Sequence, residues 1–346
     1  LSAEFGDTWR QIEDDGFLID AKVEMLLSSD SDVGVVKSMG LGTIGFADAL
    51  DRMRPDMLVV LGDRFEALAI VQAALIMRIP VAHLHGGEIT EGAYDDSIRH
   101  AITKMSSLHF TATEVYRSRV IQMGEQQDSV FNVGAIGLDS LLSGELMTLS
   151  DLGDSLGFCL RSPFLLLTYH PATSSDEDPE KCLAEILMAI DEFPDYQVLI
   201  TYPNADNGGR SMIPLLREYV RTRNTRAMVV PSLGFARYQS ALSHASVVIG
   251  NSSSGIIEAP SFRVPSINVG IRQKGRLAAT SVLHCDTTKK SILVALKKAL
   301  SESFRSSCEH VVNPYGQGNA ANQIIPIIEQ YVPKNSKRFN DAGAEL

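Results

Sequence analysis

Three consecutive serines stand where a predicted strand gives way to a predicted helix, within the run IGNSSSGIIEAPSF, Ile249–Phe262. Backbone N–H groups are unpaired at the N-terminus of a helix, and the hydroxyls of Ser252, Ser253 and Ser254 would add further donors. Gly255 would let the backbone approach an anion closely. The pattern therefore predicts a diphosphate site, although a serine-rich cap on an ordinary helix has a similar sequence.

Charged side chains close to this run could complete a nucleotide site. Glu258 follows about one helical turn later, where its carboxylate could accept hydrogen bonds from two ribose hydroxyls. Arg272, Lys274 and Arg276 follow the next predicted strand. They could pair with phosphate oxygens, or they could simply lie on a loop.

Two other predicted strand ends in this half of the chain carry polar residues. His170 follows the strand predicted at Phe164–Thr168, and Asn204 follows the strand predicted at Gln197–Tyr202. Both would lie at the same end of a parallel sheet as the serines. A histidine buried in the core would give the same pattern at position 170 as one that contacts a ligand.

Acidic residues and histidines gather at strand ends in the first half of the chain. One predicted strand, Met57–Leu61, leads into an acidic turn, and the next, Pro80–Leu84, leads into a second polar loop and a helix. The residues that could converge there are Asp63, His85, Glu88, Asp95, Asp96 and His100. Carboxylates packed together shift one another's pKa values and can divide the roles of acid and base. Helix capping would explain any single acid, but it explains the whole group less easily.

The elements that must position these residues are short apolar runs that alternate with longer helix-like segments. Apolar runs without a two-residue period are typical of parallel strands covered on both faces. A polar stretch around Leu142–Leu160 separates two such series. The sequence therefore predicts an α/β protein with two Rossmann-like domains, residues 1–155 and 156–320, and a closing helix in residues 321–346. Ligands would bind in a cleft between the domains, where the parallel strands end.

The composition of the chain limits the kinds of binding partner that the protein can have. The chain has 346 residues, a formal charge of −11 and 45% hydrophobic residues. This charge disfavours nucleic acid as a partner, because no basic stripe is present to neutralise phosphates. The longest apolar runs have the length of strands, so no membrane span is expected. The four cysteines are widely spaced and contain no CxxC pair, which favours a cytoplasmic protein without a metal site.

Four segments of the chain are similar to one known family. The segments LGDRFEALAI, HLHGGEITEGAYDDSIRHAITKMS, IGNSSSGIIEAPSF and VGIRQKGR resemble the hydrolysing UDP-N-acetylglucosamine 2-epimerases. That family supplies N-acetylmannosamine or related 2,4-diacetamido sugars for sialic-acid-like nonulosonates. The similarity extends over nearly the whole chain. It implies a GT-B fold, with UDP held mainly by the second domain and a last helix that crosses back to the first.

The resemblance also implies roles for individual residues. In the second domain, the implied UDP contacts are Ser252, Ser253 and Ser254 to the diphosphate, Glu258 to the ribose, and Arg272 to the phosphates or a closing loop. His170 and Asn204 would line the cleft. In the first domain, Asp63 and Asp95 would be among the catalytic acids, and Arg99 would orient the start of the helix that follows them.

The reaction implied by the resemblance has two steps. Elimination of UDP across C1 and C2 of the sugar gives a 2-acetamidoglucal, and water then adds to give the 2-epimer. The first step needs a base for the C2 proton and a stabiliser for the departing diphosphate, and the second needs an acid and a positioned water. No metal or redox cofactor is required. A homodimer or homotetramer is also implied.

Two departures from the family pattern bear on these expectations. Some relatives have Glu-Gly-Gly-Glu where this chain has His85-Gly86-Gly87-Glu88, so a catalytic role of the first glutamate would pass to His85, Glu88 or Asp96. Relatives also begin with a strand and a Thr-Gly-Thr-Arg-type turn before the segment that matches Leu1–Phe17. Their absence indicates either a fragment or a shortened, inactive member of the family. We favour a fragment, and we expect the chain as given to be destabilised and poorly active.

Three other functions compete with the hydrolysing epimerase. A GT-B glycosyltransferase would bind the nucleotide in the same way but would not need the acidic group of the first domain. A non-hydrolysing epimerase would return a UDP-sugar instead of a free sugar. A non-catalytic UDP-sugar sensor would bind the nucleotide sugar without releasing UDP.

Overall fold

The computed structural model describes residues 9–27, 31–90, 94–144, 146–172, 177–203, 209–333 and 337–341. Over these residues the chain divides into two compact units. Unit 1 comprises Leu1–Glu88, Tyr94–Val133 and Asn322–Leu346, and unit 2 comprises Ile89–Ala93 and Gly134–Ala321. Each unit contains a parallel β-sheet with helices packed on it, as the alternating sequence pattern predicts.

Unit 1 is built on four parallel strands in the order β1-β2-β3-β4. Its strands are β1 (Leu58–Leu61), β2 (Val81–Leu84), β3 (Leu108–Thr111) and β4 (Val130–Asn132). Its helices are α1 (Trp9–Asp14), α2 (Asp32–Met53), α3 (Phe65–Ile76), α4 (Tyr94–Met105) and α5 (Glu114–Gln122). All residues of β2 and β3 are buried, because helices cover both faces of the sheet there.

Unit 2 is built on six parallel strands in the order β10-β9-β8-β5-β6-β7. Its strands are β5 (Phe164–Thr168), β6 (Gln197–Thr201), β7 (Ala227–Val230), β8 (Val247–Gly250), β9 (Ser266–Val269) and β10 (Val282–Cys285). Its helices are α6 (Asp139–Ser143), α7 (Leu149–Leu156), α8 (Pro179–Ile190), α9 (Gly209–Arg221), α10 (Gly234–His244), α11 (Ser254–Ile257), α12 (Lys289–Ala299) and α13 (Glu302–Cys308). The last helix, α14 (Ala320–Glu329), starts in unit 2 and continues into unit 1.

The core of unit 2 lies on both faces of its sheet. Successive residues of a strand point to opposite faces, and those of β5 accordingly enter two different apolar clusters. Leu165 and Leu167 pack in one cluster, and Phe164 and Leu166 pack in the other. This double burial explains why β5 is an unbroken apolar run, and it holds the carboxyl end of the strand rigidly.

The division between the units lies earlier than the boundary that the sequence suggests after residue 155. Helices α6 and α7 belong to unit 2. Leu152 of α7 is fully buried in the core of that unit, and the N–H of Met147 donates to Oγ of Ser240 on α10 at 2.9 Å. The polar stretch that separates the two series of strands and helices therefore contains a packed helix.

The chain beyond α14 packs against unit 1. Nζ of Lys337 donates to the carbonyl oxygens of Lys104 at 2.8 Å and Ser106 at 2.7 Å, at the end of α4. It also lies 2.6 Å from the buried carboxylate of Glu125. The N–H of Asn340 donates to the carbonyl of Gly124 at 2.9 Å. These contacts stabilise the C-terminal end of the helix that carries Asp95, Asp96 and Arg99 in its first half.

Helix α2 is long and apolar enough, by length and composition alone, to cross a membrane. In the fold it packs along α3, and its Leu50 is buried in the core of unit 1. The same helix exposes Val33, Val36 and Ile44. Packing against α3 accounts for one apolar face of α2.

Candidate active site

Arg99 connects several of the predicted catalytic residues of unit 1. Its Nη2 atom donates a hydrogen bond to Oδ2 of Asp63, and its Nη1 atom donates to the backbone carbonyl of Glu88 at 2.8 Å. Nη1 also lies 3.5 Å from Oδ1 of Asp96. The Arg99 side chain is only 2% exposed, so these interactions are weakly screened by solvent. The end of β1, the loop after β2 and the start of α4 therefore meet at one guanidinium.

Asp63 stands on a turn that only glycine adopts readily. Gly62 has φ +79°, and its N–H donates to the carbonyl of Leu84 on β2 at 3.1 Å. The side chain of Asp63 is 23% exposed. The carboxylate can therefore contact a ligand while Arg99 holds its orientation.

His85 and Glu88 form a close pair in the loop after β2. Nδ1 of His85 lies 2.6 Å from Oε1 of Glu88, and the Glu88 side chain is almost completely buried. An ionised carboxylate only accepts hydrogen bonds, so His85 donates from Nδ1, and Nε2 is the nitrogen that can exchange a proton. His85 also has φ +64°, a conformation that is uncommon for a residue with a side chain.

Asp95 and Asp96 occupy the first turn of α4, where negative side chains are favourable. Nε2 of His100, one turn further on, lies 3.4 Å from Oδ2 of Asp96. Burial lowers the pKa of His100, and Asp96 opposes this shift. Asp63, His85, Glu88, Asp96 and Arg99 are thus connected by direct contacts.

The predicted phosphate loop of unit 2 follows β8, but the helix after it is short. α11 has only four residues, and a 3₁₀ turn at Ala259–Phe262 follows it. A single turn has a small dipole, so anion binding would depend on the serine hydroxyls and the backbone N–H groups. Oγ of Ser252 lies 3.1 Å from Oγ of Ser254, and Ser254 also bonds to the hydroxyl of Tyr238 on α10.

The two glycines of this loop differ in the space around them. A Cβ at Gly255 would lie at ordinary contact distances from Val248 and Ser266, 3.7 and 3.8 Å. Gly250 is the position that excludes a side chain. Its φ is +133°, and a Cβ there would lie 1.9 Å from the carbonyl oxygen of Thr168.

A cavity of about 480 Å³ opens beside this loop within unit 2. Its polar lining includes His170 and the predicted serines Ser252, Ser253 and Ser254, and Glu258 also lies on it. Apolar residues complete the wall, among them Tyr202, Pro203, Pro231, Leu233 and Phe235. The volume and the mixture of apolar walls with a few polar groups are typical of a small-molecule site.

Glu258 is a partly buried carboxyl group in this cavity. Burial raises its pKa to about 7, because an apolar environment disfavours the charged form. Among the described residues no cation forms an ion pair with it. The side chain is therefore close to half ionised near neutral pH, and hydrogen-bond donors from a ligand would favour the ionised form.

Asn251, which the sequence analysis did not assign, holds His170 in place. Its Oδ1 accepts from the N–H of His170 at 2.7 Å, and its Nδ2 donates to the carbonyl of the same residue at 2.8 Å. Nη1 of Arg272 and Nε2 of Gln273 both donate to the Asn251 carbonyl, at 3.1 and 3.0 Å. Arg272 therefore contacts the backbone of the loop and is not among the residues that line the cavity.

One predicted site residue, Asn204, lies outside the described residues.

Tyr238 and Asn251 were missed by the sequence analysis. Their partners come from distant parts of the chain, so no local pattern distinguishes them. Among the described residues no group of three or more His, Cys, Asp or Glu side chains is arranged to hold a metal ion.

Comparisons with known proteins agree on one family. The family model described as UDP-N-acetylglucosamine 2-epimerase matches residues 1–329. A Campylobacter jejuni protein named GDP/UDP-N,N'-diacetylbacillosamine 2-epimerase (hydrolyzing) is 38% identical over 325 residues, which are 94% of this chain and 84% of the relative. A Legionella pneumophila protein named UDP-N,N'-diacetylbacillosamine 2-epimerase (hydrolyzing) is 33% identical over 345 residues, 99% of this chain and 89% of the relative.

A solved structure supports the fold. The UDP-GlcNAc 2-epimerase from Neisseria meningitidis bound to UDP-GlcNAc has a TM-score of 0.76 and 18% identity, over 88% of this chain and 84% of that one. The predicted GT-B fold class, with two parallel sheets, is confirmed.

Proposed function

Because the chain belongs to the UDP-N-acetylglucosamine 2-epimerase family, we propose that it is a hydrolysing epimerase that converts a UDP-sugar into UDP and a free 2-epimeric sugar. The hydrolysing names of the Campylobacter and Legionella relatives support this type of reaction. The observation that carries the proposal is the connected group around Arg99. A protein that only bound the nucleotide would need the cavity of unit 2 but not this group.

Unit 2 binds the UDP part of the substrate. The hydroxyls of Ser252 and Ser253 and the backbone N–H groups of the loop donate to the diphosphate, and the carboxylate of Glu258 accepts from the ribose hydroxyls. The cavity lined by all three residues supports this assignment. Donors on the diphosphate stabilise the negative charge that develops as it leaves.

Unit 1 supplies the proton transfers. In the first step a base takes the proton from C2, the electron pair of that bond forms the C1=C2 double bond, and the C1–O bond breaks as UDP leaves. In the second step an acid delivers a proton to C2 on the opposite face, where the electron pair of the double bond forms the new C–H bond, while water bonds to C1 through its oxygen and releases a proton to a base. We assign these transfers to Asp63 and to the His85–Glu88 pair, with Asp95 and Asp96 as further acids and Arg99 as the group that orients them.

Imidazole and carboxylate suit these two transfers. A carboxylate held by an arginine keeps a fixed orientation and can act as a base, and this is the situation of Asp63. A histidine held at Nδ1 by a carboxylate can accept and return a proton at Nε2, and this is the situation of His85. His85 thus replaces the first glutamate of the Glu-Gly-Gly-Glu pattern.

For the substrate we propose UDP-2,4-diacetamido-2,4,6-trideoxyglucose, which is UDP-N,N'-diacetylbacillosamine. The names of the Campylobacter and Legionella relatives support it. UDP-N-acetylglucosamine is the second substrate to test, because it is the sugar in the family description. The oligomeric state implied by the resemblance stays a prediction.

The test is to incubate the protein with each UDP-sugar and to identify the released monosaccharide and UDP by NMR and mass spectrometry. Free 2-epimer with one equivalent of UDP supports the proposal. A UDP-sugar epimer without UDP release would identify a non-hydrolysing enzyme, and transfer of the sugar to an acceptor would identify a glycosyltransferase.

Asp63→Asn separates catalysis from nucleotide binding. We expect turnover to fall by about 1000-fold, while the affinity for UDP stays unchanged because UDP binds to unit 2. Glu114→Gln is the matched control, since Glu114 is an exposed acid of the same unit that pairs with Arg117. If Asp63→Asn turns over normally, the assignment of the catalytic group is wrong.

A further inference from the structure

We propose that His83 is a positioning residue for this reaction, and that it acts by holding the backbone carbonyl of Gly62 so that Asp63 keeps its orientation. The inference rests on the proposed function of Asp63. His83 does not contact the substrate in this proposal. Its effect on the reaction passes through the turn at the end of β1.

The position of His83 is defined by two hydrogen bonds. The residue lies on β2 and is completely buried. Nε2 lies 2.8 Å from the carbonyl oxygen of Gly62, and Nδ1 lies 3.1 Å from Oγ1 of Thr103 on α4. The side chain therefore joins the turn before Asp63 to the helix that carries Arg99.

These partners determine the tautomer of the ring. A carbonyl oxygen can only accept, so Nε2 must carry the hydrogen. In the neutral ring Nδ1 is then an acceptor, and the Thr103 hydroxyl must donate to it. Thr103 thus selects the tautomer that can hold Gly62, in the way that a second partner commonly orients a histidine.

Burial keeps this ring neutral. Burial is the main cause that lowers the pKa of His83 to about 3; His109, Arg99 and His85 contribute to the lowering, and the bond to Gly62 opposes it. A ring that stays neutral above about pH 4 does not serve as an acid or base at neutral pH. The hydrogen bonds of His83 to Gly62 and Thr103 are instead consistent with a positioning role.

Gly62 is held at both of its backbone polar groups. Its N–H bonds to the Leu84 carbonyl at 3.1 Å, and its carbonyl bonds to His83. Glycine has no strong intrinsic preference for one backbone conformation. The two hydrogen bonds therefore determine the direction of the turn at Gly62, where φ is +79°. Arg99 then needs only to orient the Asp63 carboxylate itself.

The space around His83 agrees with this role. A Cβ at Gly86 would lie 3.1 Å from both Nδ1 of His83 and Oγ1 of Thr103. Any side chain at position 86 would therefore press on the bond between the two. The glycine in the loop after β2 keeps room for the pair that supports the Asp63 turn.

The test compares two substitutions with opposite hydrogen-bonding ability. His83→Gln keeps an N–H donor at a similar reach, and His83→Phe fills the space without any donor. We expect kcat to fall by about 100-fold in His83→Phe, as misplacement of a catalytic group commonly costs, and to recover to within about fivefold of wild type in His83→Gln. KM and the affinity for UDP should change little in either variant.

A purely structural role would give a different result. In that case both variants would lose activity in proportion to their loss of melting temperature, and this outcome would overturn the proposal. His109→Gln is the matched control, because His109 is a buried histidine directly opposite His83 on β3 that bonds to Glu125 instead of the turn. His109→Gln should lower the melting temperature and leave kcat within about twofold of the wild-type value.

A second measurement does not depend on turnover. Long-range ¹H–¹⁵N spectra report which ring nitrogen of a histidine carries the proton. We expect His83 to be the neutral Nε2–H tautomer from pH 5 to 8, and the Nδ1–H tautomer or a titration in this range would overturn the proposal. If wild type shows the expected tautomer but turns over neither UDP-sugar, the proposed function fails while the bond from His83 to Gly62 is supported.

Discussion

The side-chain amide of Asn251 forms two hydrogen bonds with the backbone of His170, one from each end of the amide. The residues are 81 positions apart, and the bonds join the end of β8 to the end of β5. The two strands are neighbours in the sheet, so their carboxyl ends meet where the cavity of unit 2 opens. The loop after β8 and the His170 wall of the cavity are therefore joined by hydrogen bonds.

Substitution of Asn251 should weaken nucleotide binding. Asn251→Asp keeps the acceptor for the His170 N–H but places a negative oxygen against the His170 carbonyl. We expect the affinity for UDP to fall by about tenfold and the free energy of unfolding by about 2 kcal/mol. Calorimetric titration with UDP and chemical denaturation measure these changes.

Asn313→Asp is a suitable control for Asn251→Asp. Nδ2 of Asn313 likewise donates to a backbone carbonyl of unit 2, that of Ile257 at 2.8 Å, but Asn313 is not part of the cavity lining. It should reduce stability without a comparable loss of UDP affinity. Equal losses of affinity in the two variants would contradict a specific role of Asn251.

The affinity for UDP should depend on pH through Glu258. Its pKa is raised to about 7, so the free protein holds this group mostly neutral at pH 6 and mostly ionised at pH 8. If only the ionised form accepts the ribose hydroxyls, the affinity should rise by about tenfold from pH 6 to pH 8. Titrations across this range with wild type and Glu258→Gln measure the effect.

Glu258→Gln also controls for ionisation of the ligand. The terminal phosphate of UDP itself titrates near pH 6, and this part of the pH dependence should persist in the variant. The raised pKa of Glu258 affects stability in the opposite direction: the affinity for UDP should rise with pH, whereas stability should fall. Wild type should lose stability relative to the variant as the pH rises from 4.5 to 7, because the folded state binds the proton more tightly than the unfolded chain. A pH dependence of UDP affinity that is the same in both proteins would rule out the carboxylate as its source.

Arg99 should be needed for catalysis in a way that lysine does not replace. A guanidinium can serve Asp63 and the Glu88 carbonyl at once, whereas an ammonium group lacks the fixed geometry of the two nitrogens. We expect Arg99→Lys to lower kcat by about 100-fold and to cost about 2 kcal/mol of stability. Steady-state kinetics and denaturation test this, and a normal kcat in Arg99→Lys would show that Asp63 is oriented by other groups.

The acid stability of unit 1 should depend on Glu125. Burial alone would raise the pKa of this carboxyl group, but hydrogen bonds from His109, Lys104 and Lys337 hold it at about 2. A lowered pKa contributes stability above the unfolded value of 4.5, and the contribution is lost as the pH falls toward 2. Glu125→Gln should therefore cost on the order of 3 kcal/mol at pH 7, and the difference from wild type should shrink below pH 4.5.

Urea denaturation at several pH values measures this difference. Glu218→Gln is the control, because Glu218 forms an exposed pair with Arg221, and such pairs contribute little. A difference between wild type and Glu125→Gln that stays constant from pH 7 to pH 3.5 would show that the carboxylate is not ionised through its contacts.

The strands could be predicted from the sequence because their signal is local. Buried parallel strands such as β5 are continuous apolar runs, and their ends then place polar residues such as Asp63 and His170 at one edge of a sheet. Helix α2 gave a weaker signal, since glycines interrupt its apolar pattern. Strand β10 was missed because His284 and Cys285 make its run short and partly polar.

The candidate site was predictable in its members but not in its connections. The acids and histidines of unit 1 could be found from their places after β1 and β2. The contacts of Arg99 join three separate segments, so no local pattern reveals them. The same holds for Gly250. A side chain there would collide with the Thr168 carbonyl on a neighbouring strand, and no local pattern reveals this contact. For this reason Gly250 was missed, while the close approach of an anion to Gly255 stays a prediction.

The contacts of Lys337 have a consequence for biosynthesis. Lys337 is 231 positions after Ser106, the residue whose carbonyl it binds. A ribosome that adds roughly 5 to 20 residues per second needs about 10 to 50 seconds to translate that interval. During this time the whole of unit 2 emerges from the ribosome, while Glu125 still lacks its ion pair with Lys337. Unit 2 can thus mature first, although unit 1 is translated first, and chaperones or proteases that act on the nascent chain would meet unit 1 in its unfinished state.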